Sequence, residues 1–235
     1  MHPDHVFSHA TAAILHRIPI PLEIERDARV HVTALDGGRA ARGRGVRGHT
    51  TCAAPGRMLV AGLPVLSPED TWCSLGAVLG FDELIAAGDR LLGLPDPLTT
   101  GERIDAAIAR HGSRPGSRAL RLARTELRAR VFSPRETWAR LQLIRAGLPE
   151  PEPNAVIVLR SGRRTKGDPV YPRYRVLVEY DGEQHLLDAD QWATDVERLN
   201  DLAMDGWCVI RVTKRTPGAD LIARVRRALQ ERGWR

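Results

Sequence analysis

The sequence predicts an α/β protein in which a small mixed sheet flanked by helices follows a helix-rich α+β domain. Helix-capping signals recur before apolar residues at helical spacing. Short apolar runs suited to strands occur at 155–159, 176–180 and 207–212. In the second half these segments alternate as helix, strands, helix, strand, helix, which indicates a sheet covered by helices.

The length allows one large domain or two small ones, and the composition is that of a soluble globular protein. The 235 residues suffice for two small domains, which we expect to span 1–128 and 129–235. No apolar run approaches the roughly 20 residues of a membrane span, and no secretory signal opens the chain. Cys52, Cys73 and Cys208 are widely spread and lie in no metal-ligand spacing. We therefore expect free thiols and a cytoplasmic location.

The charge favours an anionic partner only weakly. The net charge is +6 and the isoelectric point is near 9.9, which suits a nucleic acid. The basic residues are almost all arginines, the lysines being Lys166 and Lys214. Because coding bias alone can produce arginine-rich composition, charge does not decide the function.

The first half of the sequence predicts a mixed domain in which helices dominate. Ser67-Pro68-Glu69-Asp70 supplies an N-cap, a first-turn proline and a third-position carboxylate. Further helices are predicted at 8–15, 81–92, 99–111 and 117–130. Residues 29–33 alternate like a strand, and the Gly- and Arg-rich residues 36–48 indicate a flexible loop.

The second half begins with another capping signal. Ser133-Pro134-Arg135-Glu136 predicts the start of a helix. A turn is predicted at Ser161-Gly162, between the strand at 155–159 and the later one at 176–180. A helix at 190–205 ends before Gly206, and Pro217 opens the last helix.

The most informative segment is the apolar strand at 176–180, because it carries a carboxylate. Glu179 and Asp181 lie two residues apart, so their side chains project from the same face of a strand. Two such charges about 4 Å apart repel by roughly 4 kcal/mol at an effective dielectric constant near 20. A bound cation or a shared proton would relieve this repulsion.

Two more residues extend this pair into a candidate metal site. Asp168 precedes Glu179 by eleven residues, and a short hairpin between them would bring the two together. Three carboxylates at a sheet edge suit a hard divalent cation such as Mg²⁺ or Mn²⁺. His185 follows Asp181 closely enough to act as a general acid or base.

These residues also carry a family resemblance. Gly167-Asp168, Pro172-Arg173-Tyr174-Arg175-Val176, Val178-Glu179-Tyr180-Asp181-Gly182 and His185 resemble the DUF559 domains. Those domains are relatives of the very-short-patch-repair endonucleases in the PD-(D/E)XK superfamily. The resemblance continues through Asp195, Arg198, Leu202, Gly206-Trp207 and Val209-Ile210-Arg211-Val212-Thr213, and so covers about 133–213.

The resemblance implies a restriction-endonuclease-like core and a Mg²⁺-dependent phosphodiesterase. Asp168 would be the first metal ligand and Glu179 the acidic residue of the (D/E)XK element, with Asp181 contributing to the metal. Asp181 stands where the superfamily expects lysine, so Lys166 or Arg211 would have to replace that lysine. Glu136 matches a helix carboxylate of many members, although its place in Ser-Pro-Arg-Glu also predicts a capping role.

Basic residues flank this site in the sequence. Arg160, Arg163, Arg164 and Lys166 are candidates for phosphate contact, as is Arg198. The alternative is that the first four are solvated turn residues, and that Arg198 pairs with Asp195 on its own helix or with a carboxylate of the site. A second cluster, Arg224, Arg226, Arg227 and Arg232, fits a solvated helix face equally well.

The first half has a resemblance of its own. Residues 6–16, Gly62-Leu63-Pro64-Val65 and 67–72 resemble actinobacterial AbiEi-antitoxin-like proteins. Those proteins usually carry a winged-helix DNA-binding segment upstream of this region, a segment that the printed sequence lacks. The resemblance therefore transfers neither DNA binding nor any functional residue to the first half.

Three functions follow from the sequence. The first is a Mg²⁺- or Mn²⁺-dependent endonuclease that hydrolyses DNA. The second is a non-catalytic DNA-binding or regulatory protein of toxin–antitoxin type that retains a nuclease fold. The third is an interaction scaffold with no nucleic-acid role. A homodimer or an unidentified protein partner is compatible with each.

Overall fold

The computed structural model of the protein describes residues 4–167, 169–181, 189–213 and 215–235, with the backbone only for 181 and 189–193. The chain divides into two compact units, Met1–Pro134 and Arg135–Arg235. Both combine helices with sheet, which confirms the predicted α/β class. None of the helices described has the length and apolar character needed to cross a membrane.

The first unit contains a five-stranded sheet in the order β3-β2-β1-β5-β4. Strand β1 pairs antiparallel with β2 and parallel with β5, while β2 and β3 run parallel and β4 and β5 form an antiparallel hairpin. The bounds are β1 His5–Phe7, β2 Val30–Ala34, β3 Val46–Thr50, β4 Arg57–Val60 and β5 Leu63–Leu66.

The helices of the first unit follow the predicted capping signals. Ser67 caps α3, its Oγ accepting from the Asp70 N–H at 3.3 Å. Trp72 on α3 is fully buried and donates its indole N–H to the Leu84 carbonyl at 2.8 Å, which fixes α3 against α4. The helices are α1 His9–Leu15, α2 Leu22–Glu25, α3 Pro68–Leu75, α4 Phe81–Leu92, α5 Gly101–His111 and α6 Ser117–Glu126.

The sequence prediction for this unit, a mixed domain in which helices dominate, was incomplete in its sheet. It identified β2 but not the other four strands, and it assigned the start of β3 to a flexible loop. Strand β3 lacks apolar alternation, and its Gly48 lies so close to residue 41 that an added Cβ would be 2.1 Å from the Ala41 carbonyl oxygen. Helix α6 ends at Glu126, four residues earlier than predicted.

The second unit has the predicted order of helix, strands, helix, strand, helix. A three-stranded sheet, β10-β9-β8, has β9 parallel to β10 and antiparallel to β8. A separate hairpin pairs β6 with β7. The bounds are α7 Pro134–Arg145, β6 Ala155–Val158, β7 Arg164–Gly167, β8 Val170–Tyr171, β9 Val176–Asp181, α8 Ala189–Met204, β10 Cys208–Thr213 and α9 Gly218–Glu231.

Strand β9 has apolar packing on both faces, because its alternate residues enter two different clusters. Val176 and Val178 pack in the cluster that also contains residues of α7 and α9. Leu177 packs in the other cluster, beside Ile157 of β6 and Leu202 of α8. Glu179 has the parity of Leu177, so it lies on the face that β6 and α8 cover.

The three thiols should differ sharply in reactivity. Burial, and then the Asp70 carboxylate, raise the pKa of the Cys73 thiol to about 12, so only about one in ten thousand of these thiols is ionised at pH 8. Cys52 is exposed to solvent and Cys208 is partly buried.

We expect a disulfide reagent to label Cys52 rapidly and Cys73 only when the protein unfolds. The absorbance of the released thiol, recorded with and without urea, measures this. A Cys52→Ser variant should lose the fast phase, and rapid native labelling of Cys73 would contradict this assignment.

Candidate functional site

A cavity of about 320 Å³ in the second unit gathers side chains from four elements and the turn before β6. Charged residues line it from α7, β7, β9 and α8: Glu136, Lys166, Glu179, Asp195 and Arg198. The remaining lining residues are Asn154, Thr165, Gly167, Val178 and Tyr180. Residues that are more than sixty positions apart in the chain therefore share one surface depression.

Glu179 and Arg198, which both line this cavity, form an ion pair. Arg198 Nη1 donates a hydrogen bond to Glu179 Oε1. The two side chains are only 12% and 21% exposed for Glu179 and Arg198, respectively. Arg198 Nε also lies 3.7 Å from Asp195 Oδ1, three residues earlier on α8. Both pairings that the sequence offered for Arg198, with Asp195 and with an acidic residue of the site, are therefore present.

The charge of Arg198 is stabilised despite its burial. Burial opposes the charged form, but the hydrogen bond and negative charge of Glu179, with a smaller contribution from Asp195, outweigh it and raise the pKa of the guanidinium. Arg198 is thus a permanent cation that occupies one side of the Glu179 carboxylate.

Glu136 reaches the cavity from the first turn of α7. Its Oε2 accepts a hydrogen bond from Asn154 Nδ2 at 3.2 Å. Asn154 has a positive φ of 47°, a conformation that Asn tolerates better than most residues, and it lies in the turn before β6. The sequence analysis missed Asn154, because an asparagine in a turn is most often explained by its backbone conformation alone.

Lys166 reaches the cavity from β7. The strand alternates between exposed and buried residues, so Arg164 and Lys166 project from the same side while Thr165 and Gly167 are buried. Lys166 and Arg211 are the two candidates to replace the lysine that the PD-(D/E)XK pattern expects at position 181. Of these two, Lys166 lines the cavity. Arg211 lies on β10 as the register partner of Glu179.

Two of the basic residues proposed for phosphate contact interact with carboxylates near the end of α8. Arg163 Nη1 lies 3.4 Å from Asp201 Oδ2, and the Arg160 backbone N–H donates to Asp205 Oδ2 at 2.7 Å. The Arg160 side chain is 78% exposed and lies 3.9 Å from Asp205. Such exposed pairs contribute about 0–1 kcal/mol. Neither arginine lines the cavity.

Three predicted site residues fall wholly or partly outside what is described. Asp168 and His185 lie outside the described residues, and Asp181 is described only as the last residue of β9, in register with Thr213. The neighbours of Asp168 are described. Gly167 lines the cavity, and the Pro169 carbonyl accepts from the Val178 N–H at 2.9 Å.

The cavity combines groups with two chemical capacities. The carboxylates of Glu136 and Glu179, with the Asn154 amide oxygen, are oxygen donors of the kind that hard divalent cations prefer. Lys166 and Arg198 are cationic donors of the kind that bind phosphate. A site of this composition can hold a phosphate ester beside a divalent cation.

Comparison of the chain with protein-family models, with curated proteins and with solved structures finds no match. The function therefore has to be inferred from the residues and geometry of the chain itself.

Proposed function

We propose that the second unit is a Mg²⁺- or Mn²⁺-dependent endonuclease that hydrolyses DNA and has a restriction-endonuclease-like core. The observation that carries this proposal is the shared cavity of Glu136, Lys166, Glu179 and Arg198. The sequence alone predicts roles for these four residues at one acidic site. The order of elements, with a helix, strands, a crossover helix and a parallel strand, supports the same core.

The carboxylates of the cavity are of the donor type that a hard cation prefers. Glu179 and Glu136 would hold it, and Asp168 and Asp181 are the further ligands that the family resemblance implies. Glu179 lies on β9 and Gly167, the neighbour of Asp168, lines the same cavity, which supports a shared ion. When bound, such a cation lowers the pKa of a coordinated water and neutralises phosphate charge.

The cations of the cavity have a separate role in this proposal. Lys166 and Arg198 bind the phosphate backbone, a contact that positions DNA without reading its sequence. Lys166 also stands in for the lysine that Asp181 replaces, because it lies in the same cavity as Glu179. Arg198 orients the Glu179 carboxylate through its hydrogen bond.

One observation favours the second candidate, a non-catalytic DNA-binding or regulatory protein. The Glu179 carboxylate already has a cationic partner in Arg198, so its negative charge is balanced without a metal. A site that only binds DNA needs no metal to balance this charge. A test for metal-dependent cleavage therefore distinguishes the endonuclease from the non-catalytic DNA-binding protein.

The deciding experiment incubates the purified full chain with supercoiled plasmid and with single-stranded DNA, in Mg²⁺, in Mn²⁺ and in EDTA. We expect nicking or cutting that requires the metal. If the DNA stays intact with Mg²⁺ and with Mn²⁺, the protein is not a metal-dependent endonuclease. Gel-shift binding that weakens steeply with salt would then establish the regulatory candidate, because phosphate contacts release counterions.

Lys166→Ala should weaken DNA binding about uniformly across sequences and lower the salt slope by roughly one. Lys166 is expected to contact phosphate because it is exposed and lines the cavity. Binding measured by fluorescence anisotropy over a series of salt concentrations tests this. Arg121→Ala is the matched control, because it also removes one exposed positive charge, but from α6 of the first unit. An equal effect of both variants would contradict a specific role for Lys166.

A further inference from the structure

Three histidines of the first unit form a cluster with no role in the proposed nuclease. They are His9, His31 and His49, and one ring nitrogen from each lies within 4.8 Å of the others. The His9 and His49 rings stack with their centroids 3.8 Å apart, and His31 lies 5.2 Å from His49 and 5.5 Å from His9.

The fold brings these residues together from three elements. His31 is on β2 and His49 on the neighbouring parallel strand β3, where its register partner is Thr33. Alternate residues of neighbouring strands project from the same face, so both imidazoles lie on one side of the sheet. His9 is the first residue of α1, and α1 packs against β2 on that side.

The backbone of His9 is in an unusual conformation that places its ring in this cluster. Its φ is +48°, in the left-handed region that non-glycine residues seldom adopt and that costs on the order of 1 kcal/mol or more. Strain of this kind persists only where the surrounding structure enforces it, and it concentrates at binding and active sites.

A second layer of hydrogen bonds holds the His9 ring. Its Nδ1 lies 3.0 Å from Ser8 Oγ, which in turn accepts from Thr33 Oγ1 at 2.8 Å. When Nδ1 donates to Ser8, Nε2 carries the free lone pair. Histidines that bind metals characteristically donate their other ring N–H to such a partner, which fixes the ring and its tautomer.

The distance between two of the rings matches coordination to one ion. His31 Nδ1 and His49 Nε2 are 3.2 Å apart and share a hydrogen bond, whose proton a bound ion would displace. Two nitrogens bound to a tetrahedral zinc ion at about 2.0–2.1 Å lie about 3.3 Å apart. The His9 ring nitrogen lies within 4.8 Å of the other two, and the ring has to rotate out of its stack with His49 to complete a face of three imidazoles.

Burial also lowers the pKa of all three imidazoles. Burial, and then the neighbouring imidazoles, lower the pKa of His9 to about 3. Burial, followed by His31 and Arg47, lowers the pKa of His49 to about 4. Arg47 opposes a bound cation, but its side chain is exposed and water screens its charge.

A cavity of about 500 Å³ opens beside the cluster and is lined by all three histidines. Its size is within the range of small-ligand sites. We propose that His9, His31 and His49 bind one Zn²⁺-class transition-metal ion, with an open coordination position that faces this cavity. Three histidines with one open position is the donor set of catalytic zinc sites, whereas Mg²⁺ prefers oxygen ligands.

The test uses the untagged full chain, stripped with chelator and titrated with Co²⁺ and then Zn²⁺. We expect one equivalent of Co²⁺ to give visible ligand-field absorption that Zn²⁺ abolishes and that excess Mg²⁺ leaves unchanged. His49→Gln should weaken binding more than tenfold. His111→Gln is the matched control, because His111 lines the same cavity outside the cluster and should bind as the wild type does.

Zinc X-ray absorption on the wild-type protein provides a test that does not depend on the folding of a variant. The proposal predicts three imidazole ligands and no sulfur. Absence of stoichiometric binding, sulfur ligation, or equal affinity of His49→Gln and His111→Gln would each overturn the assignment. In the first of these cases the cluster is a stack of neutral rings that serves packing alone.

Discussion

Replacement of Glu179 by Gln is expected to abolish metal-dependent DNA cleavage, with a loss of more than about 100-fold. The reason is that Gln has nearly the same shape but lacks the charge with which a carboxylate binds a hard cation. The amide oxygen can still accept the hydrogen bond from Arg198, so the fold of β9 against α8 should persist. Initial rates of plasmid nicking in Mg²⁺, with circular dichroism to verify folding, measure this effect.

The matched control for this variant is Glu197→Gln. Glu197 lies on the same helix as Arg198 but is exposed to solvent and does not line the cavity. The substitution therefore removes the same negative charge at a position outside the cavity. We expect its cleavage rate to stay within about twofold of the wild type. Comparable rates for the Glu179→Gln variant and the wild type would show that any nuclease activity arises elsewhere.

Asp70→Ala is expected to destabilise the first unit by about 3 kcal/mol, since it removes an acceptor on which three donors converge. Asp70 is 7% exposed. Its Oδ2 accepts from the Gly56 N–H at 2.8 Å, the Ser67 hydroxyl at 2.9 Å and Arg110 Nη2 at 2.7 Å. Truncation leaves those donors without this acceptor, and the partial exposure of Arg110 offsets only part of the cost. Urea unfolding followed by tryptophan fluorescence gives the free energy.

Asp105→Ala provides the comparison for an exposed ion pair. Asp105 is 57% exposed and lies 2.8 Å from Arg124, so its removal should cost less than about 1 kcal/mol. If the two variants lose similar stability, Asp70 is not the buried anchor that its hydrogen bonds indicate.

The sequence predicted most elements of the second unit because they have strong local signals. Strand β9 is apolar apart from Glu179 and Asp181, and α7 begins at the proline of a capping sequence. The helical spacing of α8 and the apolar run of β10 predicted that helix and that strand, whereas the parallel pairing of β9 with β10 and the short strands β7 and β8 were not predicted. Local pattern and tertiary structure agree in this part of the chain.

The sheet of the first unit could not be predicted in the same way, because its strands are defined by long-range pairing. Strand β1 has three residues and obtains its place by pairing with both β2 and β5. Arg57, Met58 and Leu59 of β4 are all exposed, so they show no alternation of buried and exposed positions. Their strand is formed by the hairpin turn at Ala61 and Gly62, both with positive φ.

The candidate sites also differ in whether their residues have a local signal in the sequence. Glu179 was found because a carboxylate in an apolar strand is a conflict within a few residues of sequence. The contact of Asn154 with Glu136 depends on tertiary structure and has no local signal. The histidine cluster joins residues forty positions apart, each of which is ordinary in its own segment.

The most direct test of the proposed active site is the anomalous difference map of crystals of the full chain grown with Mn²⁺ and a short phosphorothioate DNA duplex. The account predicts Mn²⁺ bonded to the Glu179 carboxylate, with a DNA phosphate in contact with Lys166 or Arg198. Mn²⁺ absent from this cavity, with Glu179 paired to Arg198 alone and the duplex bound on another surface, would contradict it.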